Sequence, residues 1–130
     1  MVLDTSALLA LLGGGEQASR LVEALEAADT IRISAATVVE AGIACEVRWG
    51  EIGGRELDLL LHRLGADVVA VTDEHAELAR DGYRRFGGRH HPAGLTFGDC
   101  FAYALAVSLE EPLLFTGENF AHTDVAAALS

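Results

Sequence analysis

Four acidic residues stand where the predicted secondary structure changes: Asp4, Glu40, Asp99 and Glu118. Asp4 and Glu118 follow apolar stretches of strand length, whereas Glu40 and Asp99 lie near the starts of helical stretches. Open parallel sheets place ligand sites beyond the carboxyl ends of their strands, so we expect the four carboxylates to share one crevice. Crowded carboxylates repel one another unless a cation compensates, and their oxygen atoms suit Mg²⁺ or Mn²⁺ better than zinc. The pattern indicates metal-assisted phosphodiester hydrolysis.

Each of these carboxylates also has an ordinary structural interpretation. Asp4 could accept a hydrogen bond as the N-cap of the first helix. The segments from Thr37 to Glu40 and from Thr96 to Asp99 have the form of a capping box, in which an acidic residue bonds back to the cap. The fourth carboxylate could be a solvated turn residue. It is the shared placement of the four that favours a site.

Strands and helices alternate along the chain that positions these carboxylates. Strands are predicted over residues 1–4, 31–34, 67–71 and 112–115, with a possible edge strand over 123–125. Helical spacing covers residues 7–12, 18–25, 37–49, 57–64, 74–86 and 96–109. The connections are too long for hairpins, which indicates right-handed crossovers. We predict an α/β fold, with three α/β/α layers and a central, mainly parallel sheet of four to five strands.

Length and cysteine content bound the class of protein. The 130 residues suffice for one core, so we expect a single domain over residues 1–130. Apolar stretches are interrupted well before the roughly 20 residues that a membrane span needs. Neither cysteine has a zinc-binding spacing, and no signal-peptide pattern precedes the first strand. We therefore expect no membrane association and a reducing, cytoplasmic location.

The charge of the chain restricts the chemistry further. The formal net charge is -11, which by itself argues against a polyanionic ligand such as nucleic acid. All nine basic residues are arginine, a bias that GC-rich codon usage explains. The absence of lysine excludes P-loop NTPases and receiver-type phosphoacceptor domains, because both require one.

Four segments resemble the PIN-domain family, specifically its VapC-like toxins. They are residues 2–8, Glu40, residues 98–102 and the closing segment 113–120, and they occur in order over essentially the whole chain. The resemblance implies a PIN-like fold and an endoribonuclease that uses Mg²⁺ or Mn²⁺ to cut a cellular RNA. It also implies a homodimer that is inhibited by a small antitoxin encoded beside it.

The mechanism that follows from the resemblance gives each carboxylate a role. Asp4 and Asp99 hold the principal metal ion, while Glu40 and Glu118 orient waters or help to hold a second ion. Such an ion would supply hydroxide near neutral pH and would screen charge on the phosphate oxygens. Three hydroxyl residues could hydrogen-bond ligands or waters around the site, although capping and turn roles explain them equally well: Thr5, Ser6 and Thr116.

The closing segment departs from the family pattern. The family usually has an aspartate there, whereas this chain offers Glu118 and the neutral Asn119. Asp124 could contribute as well, or could be structural. Which of the three side chains completes the acidic site is left open.

Positive charge concentrates in residues 80–94, where four arginines accompany the single acid Asp81. This arm could grip phosphates or bases beside the crevice. The arginines could equally complement the end of a helix and be solvated. The candidate RNA-binding residues are Arg84, Arg85, Arg89 and His90.

Two other functions are compatible with part of the pattern. A degenerate PIN fold could serve as a protein-interaction module, with its carboxylates only capping helices. A divalent-metal titration would distinguish it from a nuclease. A haloacid-dehalogenase-type phosphatase also has an aspartate after its first strand, but it needs a second aspartate where this chain has Ser6, and a lysine.

Overall fold

The computed structural model describes residues 1–129, which form a four-stranded sheet between two layers of helices. The strands are β1 (Val2–Leu3), β2 (Arg32–Ser34), β3 (Asp67–Val69) and β4 (Leu113–Leu114). The helices are α1 (Thr5–Gly13), α2 (Ala18–Ala27), α3 (Ala35–Leu64), α4 (Asp73–Phe86) and α5 (Phe97–Leu109). Two short 3-10 helices cover Gly88–His90 and Phe120–His122. The predicted α/β class and its three layers are confirmed.

All strand pairs of this sheet are parallel, and the strand order is β3-β2-β1-β4. β1 pairs with two strands, since Val2 lies opposite both Arg32 and Leu113. The chain runs outward from β1 to β3 and then returns to the other side of β1. The switch point of the sheet therefore lies between β1 and β4, and ligands of such sheets bind beyond the carboxyl ends of these strands. Asp4 follows β1 at this point.

Alternating side chains of the central strands divide the core in two. Val2 and Leu113 face the layer of α4 and α5, whereas Leu3 and Leu114 face α1, α2 and α3. All four are fully buried, because neighbouring strand residues point to opposite faces of a sheet that is covered on both sides. Each contributes about 1.5–3 kcal/mol through burial. The strand ends that carry the site are thus fixed by the core.

Gly50 interrupts α3, the longest helix. Its φ of 70° and ψ of -161° are not helical, so the stop predicted there is confirmed. Helix resumes at once after Gly50, rather than near Leu57 as the apolar spacing predicted. None of the helices formed by residues 1–129 is long and apolar enough to cross a membrane.

The start of α3 differs from the prediction. The helix begins after Ser34, whose side-chain oxygen accepts a hydrogen bond from the N–H of Ala36 at 3.2 Å. The capping box expected between Thr37 and Glu40 is therefore wrong, because Ser34 supplies a capping oxygen three residues earlier. Glu40 lies in the second turn of α3, so capping does not explain it.

The predicted edge strand over residues 123–125 is displaced along the chain. Thr123 instead donates a hydrogen bond to the carbonyl of Phe120 at 2.6 Å, which keeps this segment curled against the preceding 3-10 helix. The backbone reaches β4 two residues later, where Ala127 forms a single parallel bridge with Leu113.

Candidate active site

Asp4 is buried at the carboxyl end of β1, with 2% of its surface exposed. Its Oδ2 caps α1 by accepting a hydrogen bond from the N–H of Ser6 at 2.9 Å, so the expected capping role is confirmed. Its Oδ1 is also buried but has no hydrogen-bond partner among the described residues. Since buried polar atoms are almost always paired, this oxygen is a candidate ligand for a cation.

The electrostatic surroundings of Asp4 identify its neighbours. Burial raises the pKa of Asp4 from 3.8 to about 6, the hydrogen bonds from Ser6 lower it, and the charges of Asp99 and Glu40 raise it. Residues distant in sequence and carried by β1, α3 and α5 are therefore close enough to interact. Two of the other three predicted carboxylates, Glu40 and Asp99, thus lie within electrostatic range of Asp4.

Glu40 links the first turns of two helices. The hydroxyl of Thr5, the first residue of α1, donates to Oε1 of Glu40 at 2.5 Å. Oε2 lies against Gly98 in the first turn of α5, where a Cβ atom would stand 1.5 Å from it. The carboxylate is thus held between the residues that adjoin Asp4 and Asp99 in the chain.

Asp99 forms the capping box that the sequence predicts. Its Oδ2 accepts from the N–H of Thr96 at 3.0 Å, and the Thr96 hydroxyl oxygen accepts from the N–H of Asp99 at 3.3 Å. Within residues 1–129, no three Asp, Glu, His or Cys side chains already stand together as a ready-made metal site. In this arrangement Asp99 bonds to its own cap and Glu40 bonds to Thr5.

Ser6 and Thr116 join the two strands at the switch point. The N–H of Thr116 donates to the Ser6 hydroxyl oxygen at 3.0 Å, and the Thr116 hydroxyl donates to the Ser6 carbonyl at 3.4 Å. With Thr5 on Glu40, all three predicted hydroxyl residues hydrogen-bond elements of the crevice. Their bonds hold the end of β4 against the start of α1.

The structure does not bring the fourth acid to this cluster. Glu118 is exposed after a turn at Gly117, whose φ is 84°, and it is not among the charges acting on Asp4. Asn119 is exposed too. Asp124 accepts from the hydroxyl of Tyr103 at 2.9 Å and pairs with Arg85 at 3.2 Å. It belongs to a network between α4, α5 and the final segment, which argues against the metal role considered for it.

The predicted RNA-binding residues differ in their exposure and in their ion pairs. Arg85 pairs with both Asp81 and Asp124, and its guanidinium lies 4.7 Å from the ring centre of Phe86. Arg84 has only a long contact with Asp81 at 3.6 Å, and 65% of its side chain is exposed. Arg89 and His90 are exposed in the 3-10 helix that follows α4.

Two features of the site region were missed in the sequence. An apolar groove of about 870 Å³ lies between α4 and α5 and includes the exposed side chain of Phe97. The other is Gly98, which Glu40 contacts. A glycine in the first turn of a helix, directly before a candidate ligand, is the signal that could have drawn attention to it, since alanine favours helix more.

The fold and the acidic cluster define a class of protein. Residues 1–126 match the sequence model of the PIN domain, and the chain belongs to this family. Over 127 residues it is 52% identical to ribonuclease VapC30 of Mycobacterium tuberculosis, covering 97% of this chain and 96% of the relative. Its relatives at this level are thus VapC proteins.

Solved structures show the same fold at low sequence identity. VapC20 of Mycobacterium tuberculosis, described as a sarcin–ricin loop cleaving toxin, is similar with a TM-score of 0.80 and 16% identity, over 99% of this chain and 98% of that one. A chain in a toxin–antitoxin complex from Klebsiella pneumoniae is similar with a TM-score of 0.70 and 17% identity, over 95% and 92%.

Proposed function

We propose that this chain is a divalent-metal-dependent endoribonuclease and the toxin of a toxin–antitoxin pair. The observation that carries the proposal is the buried, unpartnered Oδ1 of Asp4 beside two further carboxylates, Glu40 and Asp99. The ribonuclease VapC30, 52% identical over nearly the whole chain, supports the reaction class.

Mg²⁺ or Mn²⁺ is the proposed ion, because the candidate ligands are all carboxylate oxygens. Asp4 and Asp99 would hold it, with Glu40 beside them. The chemistry that such an ion supplies when bound is activation of water for attack on phosphorus and screening of charge on the phosphate oxygens.

Asp4, Thr5 and Ser6 each contribute to the preparation of this site. Asp4 has a pKa of about 6, so it is mostly ionised at neutral pH and able to bind a cation. The Thr5 hydroxyl orients the Glu40 carboxylate, and Ser6 anchors Thr116 at the end of β4. Glu118 is exposed at the turn after β4, outside the cluster of Asp4, Glu40 and Asp99, and the role proposed for it is to orient a water.

The arm of Arg84, Arg89 and His90 is the proposed contact to RNA. These side chains are exposed on an otherwise acidic protein, and arginine suits phosphate recognition because its guanidinium presents several donors. Arg85 stands beside them but is paired with Asp81 and Asp124, so we propose a smaller share in RNA binding for it.

An antitoxin and a second copy of the chain are the proposed protein partners. Leucines at helical spacing on α2 and α3 could have offered a groove, but packing in the core is their role: Leu21, Leu25, Leu57 and Leu61 are buried. Val39, Ile43 and Val47 instead form an exposed apolar stripe on α3, beside the acidic Glu46 and Glu51. A cationic amphipathic antitoxin helix would match this surface.

The proposed homodimer rests on the apolar groove between α4 and α5. Phe97 is 80% exposed at the groove between α4 and α5, an unusual position for a phenylalanine on a monomer. Sedimentation of the wild type and of Phe97→Ser would test this interface.

The buried, free Cys45 and Cys100 are compatible with a reducing cytoplasm, which we propose as the location of the protein.

The deciding experiment measures Mn²⁺ binding by calorimetry and RNA cleavage for the wild type, Asp4→Asn and Asp99→Asn. The matched control is Glu77→Gln, which removes one exposed carboxylate of α4. We expect the first two variants to lose both metal binding and cleavage, while the control retains them. A wild type without Asp4-dependent metal binding would favour the interaction module, for which the caps at Asp4 and Asp99 already provide a structural role.

A further inference from the structure

We propose that Gly98 is a positioning residue of the metal site: the absence of a side chain there admits the Glu40 carboxylate to the first turn of α5, beside Asp99. The inference rests on the proposed function, because Glu40 matters only if the acidic cluster binds metal. It adds a residue with no ligand atom of its own to that site.

A side chain at residue 98 would require the Glu40 carboxylate to shift. A Cβ atom at this position would lie 1.5 Å from Oε2, 2.2 Å from Cδ and 2.9 Å from Oε1 of Glu40. Real Cβ contacts essentially never fall below 3.0 Å. Any side chain at residue 98 would therefore move the carboxylate away from its present place.

The backbone of Gly98 does not itself require glycine. It lies in the first turn of α5 and is not among the glycines with positive φ. Alanine has the higher helix propensity, so the local structure favours replacement. The approach of Glu40 is the feature of the structure that accounts for glycine here.

A shift of the Glu40 carboxylate has a cost, because its other oxygen accepts a hydrogen bond. The Thr5 hydroxyl donates to Oε1 at 2.5 Å, which links the carboxylate to α1. A Cβ at residue 98 would push the carboxylate while Thr5 holds it, and this hydrogen bond or the placement beside Asp99 would be lost. Gly98, Thr5 and Glu40 thus act together to keep a third carboxylate near Asp4.

The test compares Gly98→Ala with Gly42→Ala, using the Mn²⁺ affinity measured by calorimetry without RNA. Gly42 is a helical glycine of α3 with nothing within 4 Å of its Cβ position, so it controls for helix propensity. We expect Gly98→Ala to weaken Mn²⁺ binding about 10- to 100-fold, the range for residues that orient metal ligands. Gly42→Ala should bind as the wild type does.

Shortening the acid distinguishes displacement of Glu40 from a general disturbance of α5. Glu40→Asp withdraws the carboxylate by one carbon–carbon bond, about 1.5 Å. In that background Gly98→Ala should change Mn²⁺ affinity less than about twofold, since the collision is relieved. An equal loss in both backgrounds, or no loss in the wild-type background, would overturn the proposal.

A metal-free measurement separates this inference from the proposed function. If Gly98→Ala displaces Glu40, Thr5→Val should cost less unfolding free energy in that variant than in the wild type, because the hydrogen bond is already broken. Should the wild type bind no Mn²⁺, the metal site would fail, and this coupling alone would decide whether Gly98 positions Glu40. Additive effects would mean that it does not.

Discussion

Thr5 and Glu40 are joined by a hydrogen bond of 2.5 Å between the first turn of α1 and the second turn of α3. Thr5 follows Asp4 directly in the chain. The start of α1 therefore carries the Asp4 carboxylate and also binds the Glu40 carboxylate. The bond spans 35 residues and depends on the packing of α1 against α3. Through this hydrogen bond Thr5, the first residue of α1, is part of the site.

Replacement of Thr5 should therefore affect the site through Glu40. Thr5→Val keeps the shape but removes the donor, and we expect RNA cleavage to fall about tenfold or more because Glu40 is no longer oriented. Thr5→Ser retains the hydroxyl and is the matched control. Equal cleavage rates in these two variants, measured on the same RNA with saturating Mg²⁺, would contradict this role.

Asp4 should make stability depend on pH in a defined window. Its pKa is 3.8 when exposed and about 6 when folded, so the folded state holds this proton more tightly and loses stability as pH rises from about 4 to 6. Above that window the cost is constant at about 3 kcal/mol. Without metal, the unfolding free energy of Asp4→Asn at pH 7 should exceed that of the wild type by up to this amount.

Denaturant unfolding of both proteins at pH 4 and pH 7, with a chelator present, measures the effect. The difference between variant and wild type is the quantity of interest, since other groups titrate in both. We expect that difference to be larger at pH 7 than at pH 4. A constant difference would show that Asp4 titrates alike in the folded and unfolded chains.

The closing segment permits a direct comparison of Glu118 with Asn119. Both are exposed, but only a carboxylate brings charge to a metal-bound water or a second ion. Glu118→Gln should lower the cleavage rate more than Asn119→Ala, with the thermal midpoint unchanged in both. The reverse order of rates would mean that the segment is aligned wrongly with the family pattern.

Substitutions of the arginines in residues 80–94 should separate effects on RNA binding from effects on stability. Arg84→Ala and Arg89→Ala should weaken RNA binding and reduce its salt dependence, because each loses a phosphate contact. Arg85→Ala should mainly lower the thermal midpoint, because it breaks the network with Asp124 and Tyr103. Fluorescence anisotropy over a salt series tests this division, and unchanged RNA affinity in Arg84→Ala and Arg89→Ala would count against the arm.

Antitoxin binding should be electrostatic. With a net charge of -11, the chain should capture a cationic inhibitor quickly and release it more readily as salt rises. An arginine inserted beside Asp4 and Asp99 would also compete with Mg²⁺. If affinity for the proposed antitoxin did not depend on salt or on Asp4→Asn with Asp99→Asn, the inhibitor would not engage the crevice.

The sequence alone was sufficient for the fold class and for the caps at Asp4 and Asp99, because both depend on local patterns. The cap at Asp4 and the capping box from Thr96 to Asp99 involve hydrogen bonds over two or three residues, and such bonds can be predicted from spacing. The order of strands and helices likewise follows from apolar periodicity. The parallel sheet then brings their ends together.

The tertiary structure decided what spacing could not. The same pattern predicted a capping box at Thr37 that is absent, because Ser34 at the end of β2 begins the helix first. Asp124 is paired with Tyr103, 21 residues away, and Glu40 lies on Gly98. These contacts depend on which faces of distant helices pack together. The packing of the whole buried core determines which faces meet, and short-range spacing in the sequence does not specify that packing.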